Sequence, residues 1–243
     1  MRIWKRDKRE FILESLLLIL CFFRATHQML FFAVVLAMFL CSVLEVPVFR
    51  MKTRRRNFSE GEAKLLSEIY KVPLEDLSGA SQVRRGLRGV LGIETKTATQ
   101  TATRTYETKV TLNIGGFIIP VAFAIWMLSL NFIFEIVLSY LLMTILAYSV
   151  AEIREGVGVV LPREVGVFAI PLALLLAPSD ASYTDVAGLI FVPAVLGIAS
   201  AIIIASAYFP REKGCPFISI GGTGNYEAIF LIAVISLLFA TMQ

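Results

Sequence analysis

The residues of this chain best placed to do chemistry gather in two glycine motifs. Asn113-Ile114-Gly115-Gly116 opens one apolar segment. Ser219-Ile220-Gly221-Gly222-Thr223-Gly224-Asn225 opens another, and Glu227 follows two residues later. Glycine pairs permit irregular backbone and close approach of a neighbouring chain. Irregular backbone at membrane depth persists only where protein or water satisfies its N–H and C=O groups. Asn113 and Asn225 can turn their amides onto freed backbone groups, which is structural, or onto a ligand at a broken helix. The structural role is preferred, because short glycine motifs are weak signals of a ligand site.

Carboxylates are the next candidates, since ionisable groups at membrane depth are functional by default. Glu14, Glu45 and Glu135 each fall near the end of an apolar segment, where a carboxylate is cheap. Asp185 borders another segment and suits a helix start, as the macrodipole favours. Glu227 directly follows the second glycine motif, and its neighbours make it the strongest of these acids. His27 is the one histidine and reads as a surface residue in a turn.

Several chemistries are excluded by what is missing. Gly221-Gly222-Thr223-Gly224 lacks the glycine spacing and the Lys-Ser/Thr ending of a phosphate loop. There is no His-Glu-x-x-His, Ser-Lys or Gly-x-Ser-x-Gly constellation. One histidine and three cysteines without a C-x-x-C argue against a metal cluster. Cys21, Cys41 and Cys215 are expected to be free thiols, since their spacing forms no disulfide framework. No cofactor and no metal are expected, and the chain is more readily a non-enzyme than an enzyme.

The elements that must position these residues are apolar. The chain is 57% hydrophobic, with a mean hydropathy of +0.75, which excludes an ordinary soluble domain. Apolar segments run over 11–23, 29–46, 112–130, 132–150, 165–177, 186–209 and 228–242. A full span needs about 20 residues, so the first, fifth and seventh segments are short. The expected fold is an all-α polytopic membrane protein of about seven transmembrane helices with a small α/β cytoplasmic insert. Its parts are an N-terminal membrane hairpin over 1–47, the insert over 48–111 and a C-terminal membrane bundle over 112–243. The apolar run after the basic N-terminus reads as a retained anchor, because no small-residue cleavage site follows it.

Charge sets the orientation. Lys and Arg crowd at Arg2, Lys5, Arg6, Lys8 and Arg9, and again at Arg50, Lys52, Arg54, Arg55 and Arg56. Cytoplasmic flanks carry such an excess, which places the N-terminus inside, the C-terminus outside and 48–111, 151–164 and 210–227 in the cytoplasm. Arg54, Arg55 and Arg56 are candidates to hold anionic lipid heads. The net charge of +4 is no nucleic-acid signal. Within the insert, Ser59-Glu60-Gly61-Glu62 is a capping-box pattern before a helix over 63–70, which Pro73 ends. Threonine-rich alternation over 94–111 predicts one or two strands, in a small hairpin.

These motifs resemble an uncharacterised prokaryotic membrane family known only as a domain of unknown function. Asn113-Ile-Gly-Gly-Phe-Ile-Ile-Pro120 is similar to its Asn-(Ile/Leu)-Gly-Gly-Ala-(Leu/Ile)-Ile-Pro segment. The stretch from Ser219 to Leu231 is similar to its Ser-Ile-Gly-Gly-Ala-Gly-Thr-Phe-Asp-Gly-Ile-Phe-Leu segment. Ala173-Leu-Leu-Leu-Ala-Pro178 fits between them, and Glu45-Val-Pro47 resembles an Asn-Ile-Pro near the second span. The resemblance implies no established activity. The family's pair of acids invites comparison with presenilin-type aspartyl proteases, whose two intramembrane aspartates share a proton. This chain departs at both positions, with Glu227 at one and no acid within 199–206 at the other. The expected role is therefore a non-catalytic integral subunit or scaffold of a cell-membrane complex, with other membrane subunits and the lipid bilayer as partners. A small-solute or ion transporter is the runner-up, and an intramembrane hydrolase using Glu227 or Asp185 is third.

Overall fold

Each apolar segment of the chain holds a helix among the described residues, and stretches between the helices pair as strands at one end of them. The computed structural model describes residues 2–3, 8–25, 27–54, 60–70, 105–130, 134–154, 157–208, 215, 217–222 and 224–242. The apolar helices are α1 (Lys8–Arg24), α2 (Met29–Cys41), α4 (Ile119–Leu130), α5 (Phe134–Val150), α6 (Ala169–Leu176), α7 (Tyr183–Ala207) and α8 (Tyr226–Ala240). A π-helical turn, Ile114–Ile118, leads into α4, and a 3-10 helix, Arg163–Phe168, leads into α6. The short helix α3 (Glu60–Tyr70) falls where the insert helix was expected. Its Ser59 cap and the segment 71–104 lie outside the described residues.

The strands are β1 (Arg2–Ile3), β2 (Leu44–Arg54), β3 (Thr105–Asn113), β4 (Glu152–Arg154), β5 (Gly158–Val160) and β6 (Phe217–Ile220). One sheet has the order β1-β2-β3-β6, and β4 pairs with β5 in a separate hairpin. Four expectations are corrected here. The end of the second apolar segment and the basic run after it are not a helix end and a loop. Leu44–Arg54 is one strand, antiparallel to β3 from Glu45↔Asn113 to Arg54↔Thr105. Among the described residues, the strand of the insert pairs not with a hairpin neighbour but with β2 on one side and, in parallel, with β6 on the other, and 94–104 lies outside them. The third apolar segment is not helical from its start, because Leu112 and Asn113 belong to β3. Finally, the sheet is not confined to the insert, since β1, β2, β3 and β6 come from 1–47, 48–111 and 112–243 alike. The physical cause is common to all four. Val46, Val48, Val110 and Ile218 are β-branched residues that pack on a pleated surface, and long-range partners decided where.

The core forms around α7, which packs against α4, α5, α6 and α8. It is apolar on all sides and buried on most of them, as a helix enclosed by other helices must be. The rings of Phe31 on α2, Phe123 on α4 and Phe191 on α7 meet with centroids 5.2–5.5 Å apart. Small residues set the closest approach. A Cβ added at Gly197 would stand 2.7 Å from the Cβ of Met143 on α5. Tyr140 and Ser200 share a 3.0 Å hydroxyl hydrogen bond across the same pair of helices. Among the described residues, α7 is the one helix long and apolar enough by length and composition to cross a membrane. The apolar helices 29–41, 134–150 and 226–240 are shorter.

All three cysteines are free thiols, with Cys21 and Cys215 buried. Cys215 precedes β6, and the Thr108 hydroxyl donates to its backbone carbonyl at 2.6 Å. Burial pushes the Cys215 thiol up from 9.0 to about 12, against an opposing hydrogen bond from Thr108. A folded-state value above the unfolded one contributes stability that is complete below pH 9 and is lost as pH rises toward 12. Chemical unfolding of the detergent-solubilised protein should therefore become easier between pH 9 and pH 12. The Cys215→Ala variant should show a shallower decline over that window. An identical pH slope in both proteins would remove Cys215 as the cause.

Candidate functional site

Strand register brings the polar residues of the glycine segments to one face of the sheet. Thr111 stands beside Ser219 across the parallel pair, and Glu45 beside Asn113 across the antiparallel one. Alternate residues of a strand share a face, so Glu45, Thr111, Asn113 and Ser219 all point the same way. Each is buried, and Glu45 is 0% exposed. The Ser219 hydroxyl donates to Glu45 Oε1 at 2.5 Å, and the Thr111 hydroxyl donates to Oε2 at 3.2 Å. Both carboxylate oxygens are thus engaged, which burial of so polar a group requires.

The two glycine motifs lock together just beyond this face. Asn113 caps the π-helical turn: its Oδ1 accepts from the Gly116 N–H at 2.7 Å, and its Nδ2 donates to the Ser42 carbonyl at 2.6 Å. Gly116 then lies directly on Gly221. A Cβ built at Gly116 would overlap the Gly221 carbonyl oxygen, and one built at Gly221 would stand 2.6 Å from the Gly116 oxygen. A Cβ at Gly115 would collide with the Met38 carbonyl at the end of α2. Gly222 backs the carboxylate, where a Cβ would overlap Ser219 Oγ and stand 2.6 Å from Glu45 Oε1. Gly221 and Gly224 have φ of 72° and 74°, a left-handed geometry that glycine adopts without strain.

Asn225 closes the motif. Its Nδ2 donates to the Val159 carbonyl at 3.1 Å and to the Ser219 carbonyl at 3.3 Å, tying β5 to β6. Its Oδ1 is buried without a hydrogen-bond partner among the described residues, and the neighbouring Thr223 lies outside them. The Leu161 N–H donates to the Gly224 carbonyl at 3.1 Å, and the Asn225 and Tyr226 N–H groups donate to the Gly222 carbonyl. Both asparagine amides therefore serve freed backbone. Ser219 does not: its hydroxyl donates to Glu45. Phe217–Ile220 is a regular strand, and the left-handed Gly221 and Gly224 follow it.

The acids separate. Glu227 sits in the first turn of α8, pairs with Arg163 and is about a third exposed. Asp185 forms a reciprocal cap with Ser182 at the start of α7, with Ser182 N–H to Oδ2 at 3.0 Å and Asp185 N–H to Ser182 Oγ at 3.2 Å. A helix of 25 residues, about 37 Å long, carries the chain from Asp185 toward the sheet. The structure does not bring these two carboxylates together. Two residues read as end-of-segment acids are corrected. Glu14 is buried on α1, and Glu45 is the centre of the polar cluster. Glu45 was the important omission. Its signal was its place beside Pro47, ahead of a valine-rich stretch that alternates like a strand.

A helical bundle closed at one end by a sheet, with interlocked glycine turns and a buried carboxylate, defines the class of protein. The chain belongs to the family described as "Protein of unknown function (DUF1614)", whose model matches residues 39–239. The match starts inside α2 and takes in both glycine motifs and the whole carboxylate cluster. No curated protein and no solved structure matches the chain.

Two sets of variants test this arrangement. Gly116→Leu and Gly222→Leu should abolish or sharply lower the thermal stability of the solubilised protein, because the Gly221 backbone occupies the space at the first and the buried Ser219–Glu45 pair the space at the second. Gly61→Leu, on α3 with open space around it, should leave it nearly unchanged, and equal stability of all three would show the motifs to be plain connectors. Glu45→Ala strands two buried hydroxyls and should cost about 1–3 kcal/mol. Glu45→Gln, which keeps the shape and one acceptor, should cost less. Denaturant titration of both variants against the parent measures the difference.

Proposed function

We propose that the chain is a multi-pass protein of the cytoplasmic membrane acting as a non-catalytic subunit or scaffold of a membrane complex. The observation that carries the membrane part is the convergence of charged connections on one end of the bundle. β1 joins β2, β2 joins β3, β3 joins β6, and Asn225 ties β5 to β6. The N-terminus and the three connections rich in Lys and Arg thus meet at the sheet. Helices that leave the sheet return to it, which is what seven crossings with a cytoplasmic N-terminus require. Large apolar side chains are exposed along α1, α2, α4, α5 and α6, with Leu13, Leu30, Ile125, Ile145 and Leu175 among them. So much exposed apolar surface marks a membrane or partner contact.

The non-catalytic part rests on how the candidate residues are used. Asp185 caps a helix, Glu227 pairs with Arg163, and Asn113 and Asn225 serve backbone. An aspartyl-type hydrolase needs two acids sharing a proton, and these two stand apart. A transporter would need space between the broken segments, yet Gly116 and Gly221 leave no room for one methyl group. Small residues over Gly188–Ser206 are used within the chain, while the exposed faces of α5 and α6 remain for subunits. Extraction of the tagged protein from its native membrane in mild detergent, followed by mass spectrometry, is the test. A stoichiometric membrane protein should co-purify. A protein recovered from the soluble fraction would refute the membrane assignment, and a membrane monomer with no partner would refute the scaffold role.

A further inference from the structure

We infer that the paired helices α5 and α7 hold a small monovalent cation, sodium or potassium, between Glu135, Ser139 and the backbone carbonyl of Leu189. The inference stands apart from the scaffold reading, and its failure leaves that reading untouched. It starts from two atoms sealed inside the fold. Glu135 Oε2 and Ser139 Oγ are both buried, and neither has a hydrogen-bond partner among the described residues. Ser139 is 1% exposed. A buried polar atom left without a partner is costly. The two residues are four apart on α5, so their side chains are neighbours on one side of the helix. α4, α5, α6 and α7 carry no Lys or Arg, so no base on these helices can pair with the acid.

The third oxygen comes from α7. Pro193 lies inside this helix, and both it and Leu189 are buried. Proline has no N–H, and its ring presses on the carbonyl four residues earlier. The Leu189 carbonyl therefore loses its helical donor. The direction of packing sets it beside Glu135. A Cβ added at Gly188 would stand 3.5 Å from Met127 Cε, and the rings of Phe123 and Phe191 are 5.5 Å apart. The end of α4 thus lies beside the start of α7. From Leu130 to Phe134 the chain spans at most about 14 Å. Met143 meets Gly197. If α5 ran antiparallel to α7 through that contact, Phe134 would lie level with Ser206, about 27 Å along α7 from Gly188. The link is too short for that, so α5 runs parallel to α7. Stepping back from Met143 and Gly197 by four residues puts Ser139 level with Pro193, and a second step puts Glu135 level with Leu189. Such steps keep to one side of each helix. A carboxylate, a hydroxyl and a freed carbonyl form an oxygen-only set, which suits a hard cation. Broken helices within membranes use unwound carbonyls in this way. One carboxylate balances one positive charge, whereas a divalent ion would leave net charge in an apolar surrounding. Water admitted beside Glu135, which is partly exposed, completes the coordination.

The test uses the full chain in neutral detergent and reads thermal unfolding. Sodium chloride or potassium chloride is titrated, with choline chloride holding the total salt constant. The unfolding temperature of the parent should rise, and saturate, with at least one of the two ions. In Glu135→Gln the half-saturating concentration should increase at least about tenfold, since one full charge is withdrawn from the ion. Pro193→Ala returns an N–H to the Leu189 carbonyl and favours the helix, so this variant should fold as well as the parent yet lose most of the response. Ser139→Ala should weaken the response less than Glu135→Gln does. Equal unfolding temperatures of the parent in sodium, potassium and choline overturn the site. So does an undiminished ion response in Pro193→Ala, or a Glu135→Gln protein that is less stable but responds as the parent does.

Discussion

Three distant stretches of chain are held together through the two oxygens of one carboxylate. Glu45 leaves α2 on the first residues of β2, Thr111 lies on the central strand and Ser219 lies on β6. Their hydroxyls meet Oε1 and Oε2 where no base pairs with the acid among the described residues. A carboxylate is costly to bury, and more so when its neighbours are neutral. The arrangement persists because the sheet around it leaves little alternative. Moving β6 by one residue would turn Ser219 to the opposite face and leave Glu45 Oε1 without a donor. The carboxylate therefore specifies register as well as position. It does so for the strand pair with the greatest separation in sequence, which hydrophobic packing alone specifies weakly when both faces are buried.

The glycine motifs follow from the same constraint. Once Thr111 and Ser219 are side by side, the chain after each must leave the sheet at the same place. Two backbones turning away within one van der Waals contact leave no room for side chains. Gly116 and Gly221 are glycines for that reason, and Gly222 because the carboxylate occupies the space a Cβ would need. Each turn then has N–H and C=O groups without a regular partner. Asn113 and Asn225 supply them, one within the π-helical turn and one between β5 and β6. Side chains do the work of secondary structure here, which backbone removed from water demands.

The helices, the insert helix and the place of the glycine motifs were legible in the sequence because their signals are local. Long apolar runs, a capping pattern before 60–70 and paired glycines need no knowledge of the rest of the chain. The sheet was not legible in the same way. β2 lies across the end of an apolar segment and a basic run, two compositions that read as a helix end and a loop. Its partners are 41 to 68 residues away, and strand pairing at that distance leaves no periodic mark. Glu45 was misread for the same reason. Its meaning depends on a serine 174 positions later, and position within a segment carries no trace of that. Asp185 and Glu227 were easier, because a helix start explains an acid without any tertiary partner.

The sheet also accounts for helices that are too short. α2 and α8 have 13 and 15 residues, about 20 and 22 Å by helical rise. In a soluble protein this would be ordinary, while a bilayer core is about 30 Å thick. On the proposed membrane reading, the depth these helices do not span falls to other backbone. β2 continues from α2, β3 and a π-helical turn precede α4, a 3-10 helix precedes α6, and β6 with its glycine turn precedes α8. Strand and turn backbone can stand at that depth only inside protein, since an open carbonyl in hydrocarbon costs several kcal/mol. β6 and the polar cluster obey this rule, whereas β2 from Val46 to Phe49 is exposed. β6 is enclosed on both faces and Glu45, Thr111, Asn113 and Ser219 are sealed within the sheet. β2, exposed from Val46 to Arg50, carries its apolar residues first and its bases last, with Arg55 and Arg56 outside the described residues. The carboxylate and its two hydroxyls are thus what hold the buried part of the sheet closed, and the proposed membrane reading requires that the edge of β2 beyond Glu45, unpaired among the described residues, lie outside the hydrocarbon.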